Sequence, residues 1–256
     1  MIWLRQLVAG SVFGSWPVLA AASATMLVAE AVYVLFGFGA GLIAVGTLAT
    51  VMPRLTDVVV LLLLVNLPVE LVVVARSRGE VRWRGVLLIC AGIALGVPLG
   101  TAALGLGDAR FVLVLLGAFL VLAGLAFLLL PATVRPVRWP PWSGPLWGLL
   151  SGVLAGLFGT GGPPVILYYR LAGAEKAAFR GNLMAVFLLI TLVRLPSYAV
   201  GGLITVDRLV GAAMVFPAVL LGALLGNRIH LQIRELTFQR LVAVGLLALG
   251  VLLLAR

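Results

Sequence analysis

The sequence predicts an all-α, polytopic membrane protein made of two homologous four-segment repeats, inverted relative to each other. Each repeat opens with a glycine-broken or re-entrant helix pair. Three observations carry this reading. Hydrophobic residues fill 63% of the 256 positions and charged residues only 10%, against about 25% charged in a soluble domain. Apolar stretches of roughly 20 residues, the length that spans a bilayer core, recur along the whole chain. Glycine-rich sequence interrupts two of those stretches at corresponding places, LFGFGAG at 35–41 and LFGTGGP at 157–163.

The first segment, 17–52, carries Gly37, Gly39 and Gly41 near its middle. Residues 17–36 could cross alone and leave 40–52 short, so a re-entrant hairpin and two crossings both stay open. Segments 57–75, 85–104 and 111–130 follow as plain crossings and complete an N-terminal repeat, 1–130. Residues 131–144, PATVRPVRWPPWSG, contain Pro131, Pro136, Pro140 and Pro141. Proline removes backbone donors and stiffens the chain, so this stretch reads as a linker. The C-terminal repeat, 145–256, holds the broken segment 145–172 and then 180–200, 207–226 and 238–255. A straight helix over 145–172 would run about 42 Å, too long for a core of about 30 Å and too short for two crossings.

The halves align at three landmarks in the same order. The glycine motifs are offset by 122 residues, LGVPLG (95–100) and LGALLG (221–226) by 126, and the segments led by Phe111 and Phe238 by 127. Internal duplication is a common build of secondary transporters, with the substrate site where the repeats meet.

Positive charge arbitrates the topology, because Lys and Arg concentrate in cytoplasmic loops. If every segment crosses, nine cations (Arg5, Arg76, Arg78, Arg82, Arg84, Arg135, Arg138, Arg208, Arg256) face eight (Arg54, Arg110, Arg170, Lys176, Arg180, Arg228, Arg234, Arg240), which is no bias. If the two glycine-broken segments enter and leave on one side, Arg76, Arg78, Arg82, Arg84, Arg135, Arg138, Arg170, Lys176, Arg180, Arg228, Arg234 and Arg240 share a face. Only Arg5, Arg54, Arg110, Arg208 and Arg256 then oppose them, twelve against five. Three true crossings per half make the repeats inverted.

Irregular backbone at membrane depth persists only where protein or a water-filled cavity satisfies it. Gly159, Gly161 and Gly162 allow positive φ and close approach. Pro163 and Pro164 suit the first turn of the next half-helix, whose N–H groups have no intrahelical partner. That terminus is a ready anion site, with Thr160 beside it. Gly37, Gly39 and Gly41 place a second one opposite. The glycines of GLIAVG (41–46) and GALLG (222–226) read instead as close helix packing.

Arg194 is the one cation well inside a crossing, either compensating an anionic substrate or snorkelling to the outer interface. Glu30 is a proton-carrier candidate, a fixed partner for Arg194, or a surface carboxylate. Asn66 and Asn182 could donate to an oxyanion or lock helices together. Glu70 reads as a structural ion pair with the arginine-rich loop, and Tyr168, Tyr169, Trp139, Trp142 and Trp147 as interface anchors.

GLFGTGGPPVILYY (156–169), its echo GFGAGLIAVGTL (37–48) and the four-plus-four layout resemble the TauE/SafE family of sulfite and organosulfonate exporters. The resemblance covers nearly the whole chain. It implies a multi-pass carrier in a bacterial plasma membrane, moving small sulfur-containing or related organic anions. The first motif departs from the second, with Phe38, Gly41 and Leu42 standing where Thr160, Pro163 and Pro164 stand.

The expected function is therefore secondary transport of a small anion by alternating access, with Gly37, Gly39, Gly41, Asn66, Gly159, Thr160, Gly161, Gly162, Pro163, Asn182 and Arg194 at the substrate. An anion channel and an intramembrane enzyme are the alternatives. Cys90 and His230 each stand alone, which leaves little material for a metal centre or a Ser-His-Asp triad, and no G-x-x-x-x-G-K-[ST] motif supports ATP coupling. No cofactor or metal is expected. The +10 net charge sits in loops and reads as topology rather than nucleic-acid binding. The coupling ion (H+ or Na+) and homo-oligomerisation stay open. The start, MIWLRQLVAG, lacks a cleavage pattern, so no removable signal peptide is expected.

Overall fold

Segments such as TDVVVLLLLV are apolar all round, which suits helices buried among helices or against lipid rather than half-exposed ones. The computed structural model describes residues 8, 10–76, 78–106, 108–129, 136–137, 139–140, 142–173, 175–228 and 235–255. Its secondary structure is helical throughout, with no strand among the described residues. The helices are α1 (Trp16–Phe36), α2 (Ala40–Val51), α3 (Leu55–Arg76), α4 (Trp83–Leu106), α5 (Ala109–Leu129), α6 (Ser143–Phe158), α7 (Gly162–Leu171), α8 (Lys176–Val200), α9 (Val206–Arg228) and α10 (Glu235–Leu254), with a 3-10 turn at Arg78–Glu80. Among the described residues six helices are long and apolar enough to cross a membrane, namely α1, α3, α4, α5, α8 and α9. The protein is a multi-pass membrane protein.

Both glycine-rich segments break where expected. The first separates α1 from α2 at Gly37–Gly39, and the second separates α6 from α7 at Gly159–Gly161. Gly37 (φ 81°) and Gly159 (φ 75°) end α1 and α6 in the left-handed region, donating their N–H groups to the carbonyls of Tyr33 and Ala155. Only glycine adopts that cap without strain. The halves are unequal: at 1.5 Å per residue α1 reaches roughly 31 Å and α2 roughly 18 Å, α6 roughly 24 Å and α7 roughly 15 Å. Gly161 and Gly162 differ from expectation. Gly161 has φ −110° and Gly162 already lies in α7, so neither uses positive φ. Gly161 is small because a β-carbon there would meet Ser151 and Ala155 of α6.

α3 runs through the centre, with Val58 to Leu63 at most 1% exposed, and packs against α2, α8 and α9. The most extensive contact joins α4 to α6. Gly92, Gly96 and Gly100 of α4 face Gly148, Gly152 and Gly156 of α6, and a β-carbon at Gly152 would stand 3.0 Å from the Gly96 Cα. These two helices touch backbone to backbone, as small residues spaced by four permit. Gly222 and Gly226 of α9 do the same against the Leu27 and Ala31 carbonyls of α1. α5 packs on α10, and α8 on α3 and α4.

The two ends of the bundle are distinct. At one, the Arg82 N–H donates to Asn182 Oδ1 (2.8 Å), Arg82 lies 3.8 Å from Glu175, and Val137 N–H donates to the Leu171 carbonyl (2.7 Å). Exposed Arg180 belongs to this end and donates to the Val34 carbonyl (2.7 Å). At the other end Arg208 bonds Asp57 Oδ1 (2.8 Å) and the Leu203 carbonyl (2.6 Å), largely out of solvent. The loop assignments at 131–135 and 229–234, including Arg135, His230 and Arg234, and those of Arg5, Arg138 and Arg256 lie outside the described residues.

Candidate functional site: a cavity between two helix breaks

The two breaks meet. A β-carbon at Gly41 would lie 3.0 Å from Thr160 Oγ1 and 3.7 Å from the Gly159 carbonyl oxygen. Around this contact lies a cavity of about 50 Å³, several times the 10–15 Å³ or so that one water needs. Its wall is the first turn of α2 (Gly39, Ala40, Gly41, Leu42), the second break (Gly159, Thr160, Gly161, Gly162), Tyr33 of α1, Asn66 and Glu70 of α3, Ile166 of α7, and Phe187, Ile190, Thr191 and Arg194 of α8.

Two helix N-termini therefore open on one space, and each brings unpaired N–H groups and the positive end of a helix dipole. They are not equivalent donors. In α7, Pro163 and Pro164 follow Gly162, so the first turn keeps few N–H groups. In α2 the first turn has no proline, and Ala40, Gly41 and Leu42 all retain theirs. The sequence marks the second motif as the more distinctive, yet the first keeps more first-turn N–H groups facing the cavity. Pro163 itself faces away from the cavity, into an apolar groove shared with Phe119, Phe127 and Leu154.

Arg194 is 3% exposed, which rules out snorkelling to the interface. Its Nη1 donates to the Gly159 carbonyl (3.1 Å), and its Nη2 to the Val59 carbonyl (2.9 Å) and the Tyr198 hydroxyl (3.2 Å). Tyr198 in turn donates to the Gly156 carbonyl (2.8 Å), and the guanidinium carbon stands 4.9 Å over its ring. The side chain thus satisfies the Gly159 carbonyl at the end of α6 and ties it to α3 through Val59, while its Nε has no hydrogen-bond partner. Ser151 of α6 donates to the Gly161 carbonyl and pins the far side of the same bend. Glu30 is not the partner of Arg194.

The structure brings Gly39, Gly41, Asn66, Gly159, Thr160, Gly161, Gly162 and Arg194 to one cavity. It places Gly37 against Arg180 and Met184 instead, and Asn182 on the backbone of Arg82 at the bundle end. Glu70 overturns its sequence reading: it is buried and lines the cavity along with Thr191, and it is not paired with a loop arginine. Trp139 and Trp147 form an aromatic cluster with Tyr168, whose carbonyl accepts from the Trp139 indole at 3.3 Å. Tyr33, Thr191 and Tyr198 escaped the sequence reading. A signal existed for two of them: Thr191 and Tyr198 lie three before and four after Arg194, on its own face of α8.

A family profile described as "Sulfite exporter TauE/SafE" matches residues 21–253, nearly the whole chain. The chain belongs to the TauE/SafE family. It is 29% identical over 217 residues to a probable sulfite/organosulfonate exporter TauE of Cupriavidus necator, covering 82% of this chain and 83% of that one. It is 28% identical over 194 residues to a probable inner membrane transporter protein TsaS of Comamonas testosteroni, covering 74% and 80% respectively. No solved structure matches it. A TauE/SafE member is a transporter rather than an enzyme, and the resemblance of the GTGGPP segment is confirmed at the level of the family.

Proposed function

We propose that this TauE/SafE member is a secondary transporter of a small anion, sulfite or an organosulfonate foremost, working by alternating access in a bacterial inner membrane. One observation carries the reading: two helix N-termini, Thr160 and the buried Arg194 converge on a single cavity. An oxyanion there takes N–H bonds from the first turn of α2 and from Gly161–Gly162, with Thr160 Oγ1, Asn66 and Arg194 Nε as side-chain donors. The small volume suits a compact headgroup. The names of the two relatives support the substrate class.

The moving parts are two inverted repeats, residues 1–130 and 145–256. Helix packing supports this division. Exchanging α1 with α6, α3 with α8, α4 with α9 and α5 with α10 turns the α4–α6 contact into α9–α1 and α4–α8 into α9–α3, and returns α5–α10 and α3–α8 to themselves. The joining of the 78–82, 136–139 and 171–182 regions at one end agrees with the twelve-against-five charge assignment.

Flux of sulfite, thiosulfate and methanesulfonate into proteoliposomes tests the function. Saturable uptake that trans-substrate accelerates is expected. Current proportional to voltage without saturation would make the protein a channel, and no flux of any of the three anions would remove the reading.

A further inference from the structure

Behind the cavity lies a set of buried polar groups that the anion contacts do not use. The Oε2 atom of Glu70 has no hydrogen-bond partner. Glu30 Oε1 and the Tyr33 hydroxyl, both on α1, are also without partners, and all three residues are at least 95% buried. Glu70 and Tyr33 line the cavity. Glu30 is within electrostatic reach of both. One turn beyond it, the Val34 carbonyl takes its bond from exposed Arg180. Tyr33 thus stands on α1 between Glu30 and the Arg180 contacts at Val34 and Gly37.

A fixed charge is a poor occupant of these positions. An ionised carboxylate buried without a counter-ion is strongly disfavoured, and no Lys or Arg reaches ion-pair distance of either glutamate among the described residues. Nor do three His, Cys, Asp or Glu side chains gather there as metal ligands. A carboxyl that exchanges a proton meets both conditions.

We propose that Glu70 is the proton site of this carrier, with Tyr33 and Glu30 as buried polar neighbours on α1, which rests on the anion-transport reading above. The anion and the Glu70 carboxyl share one cavity, so a carboxylate there repels the anion and a carboxylic acid admits it. One proton accordingly binds with each anion and crosses in the same direction. On release the Glu70 O–H gives its proton to a cavity water on the receiving side, and the carboxylate is reprotonated when the site returns; nothing is oxidised or reduced. The charged and titratable groups around Glu70 are Arg194 from α8 and Glu30 and Tyr33 from α1, with Arg180 reaching Tyr33. α2 contributes none, and α9 carries Asp207, Arg208 and Arg228 near its ends, with Arg208 bound to Asp57.

The test uses the full chain in proteoliposomes clamped at zero potential, with methanesulfonate, which stays ionised throughout the pH range. In wild type, equal-pH exchange should weaken as pH rises, with apparent affinity falling by about tenfold per unit on the alkaline limb. An acidic exterior should drive accumulation, and a trapped pH dye should report acidification of the lumen by anion influx. Glu70→Gln should lose the pH dependence of exchange and lose pH-driven accumulation, whatever exchange rate the altered cavity retains. pH-driven accumulation surviving in Glu70→Gln, or wild-type influx with no proton entry, would overturn the proposal. The dye measurement decides it even if a variant fails to fold. Absence of any wild-type exchange would instead overturn the anion reading, and is seen before any variant is compared.

Discussion

At Gly41 the missing side chain keeps the cavity open, whereas at Gly162 it does not. A β-carbon on Gly41 would press on Thr160 at 3.0 Å, but one on Gly162 would make only ordinary contacts with Ile166 and Phe187 at 3.5 and 3.6 Å. Gly162→Ala should therefore fold and transport like wild type, and Gly41→Val should fold yet lose anion binding, both read by thermal shift with added methanesulfonate. At Arg194, removal of the guanidinium leaves the Gly159 carbonyl at the break without its donor and takes the second bond from the Val59 carbonyl, which keeps its helical one. A buried orphan costs about 1–3 kcal/mol, so Arg194→Gln should lower the melting temperature and weaken anion affinity by about tenfold or more, a loss of at least 1.4 kcal/mol or so. Arg194→Lys keeps the charge but cannot span both carbonyls, and should recover part of each loss. Sequence could single out Arg194 because a lone charge in an apolar run stands out. It could not show whether the side chain turns to lipid or to the bend, since that depends on where Val59 of another helix lies. Glu70 differs from its sequence reading for the same reason: proximity along the chain to Arg76 and Arg78 suggests a structural ion pair, while the fold turns it to the cavity that Thr191 also lines.

Helix breaks and helix contacts were legible to different degrees. Glycine and proline chemistry is local, so both bends fell where the motifs placed them, and Pro163 and Pro164 took the first turn of α7. Direction was less so. Nothing local says that Pro163 faces the groove beside Phe119 while Gly161 faces the cavity, because that depends on how α7 rolls on its neighbours. The α4–α6 seam makes a separate prediction. At Gly96 a β-carbon would strike the Leu149 carbonyl, whereas at Gly245 of α10 it would meet open space. Gly96→Leu should destroy the single species seen by size exclusion in detergent, and Gly245→Ala should leave it unchanged.

For the whole molecule, the inverted arrangement makes two kinds of claim. The first is sidedness: in a Cys90→Ala background, cysteines replacing exposed Glu80 and Glu175 should react with an impermeant reagent from one side, and those replacing Asp108 and Asp207 from the other. The second is motion. α10 rests on α2, where a β-carbon at Gly46 would lie 3.7 Å from the Leu249 Cβ, whereas the corresponding face of α7 looks onto the groove beside α5. That separation fits a disulfide, so Gly46→Cys with Leu249→Cys should cross-link under oxidant, stop flux and regain it on reduction. The central claim is that the anion sits between the two helix breaks. Selenite, a pyramidal oxyanion like sulfite with an anomalous scatterer at its centre, tests it most directly in crystals of the full chain. A selenium peak within hydrogen-bonding reach of the Gly41 N–H, Thr160 Oγ1 and Arg194 Nε is expected, and Gly41→Val should abolish it. A peak elsewhere, such as the vestibule between Pro98 and Pro196, with that cavity empty, would contradict it.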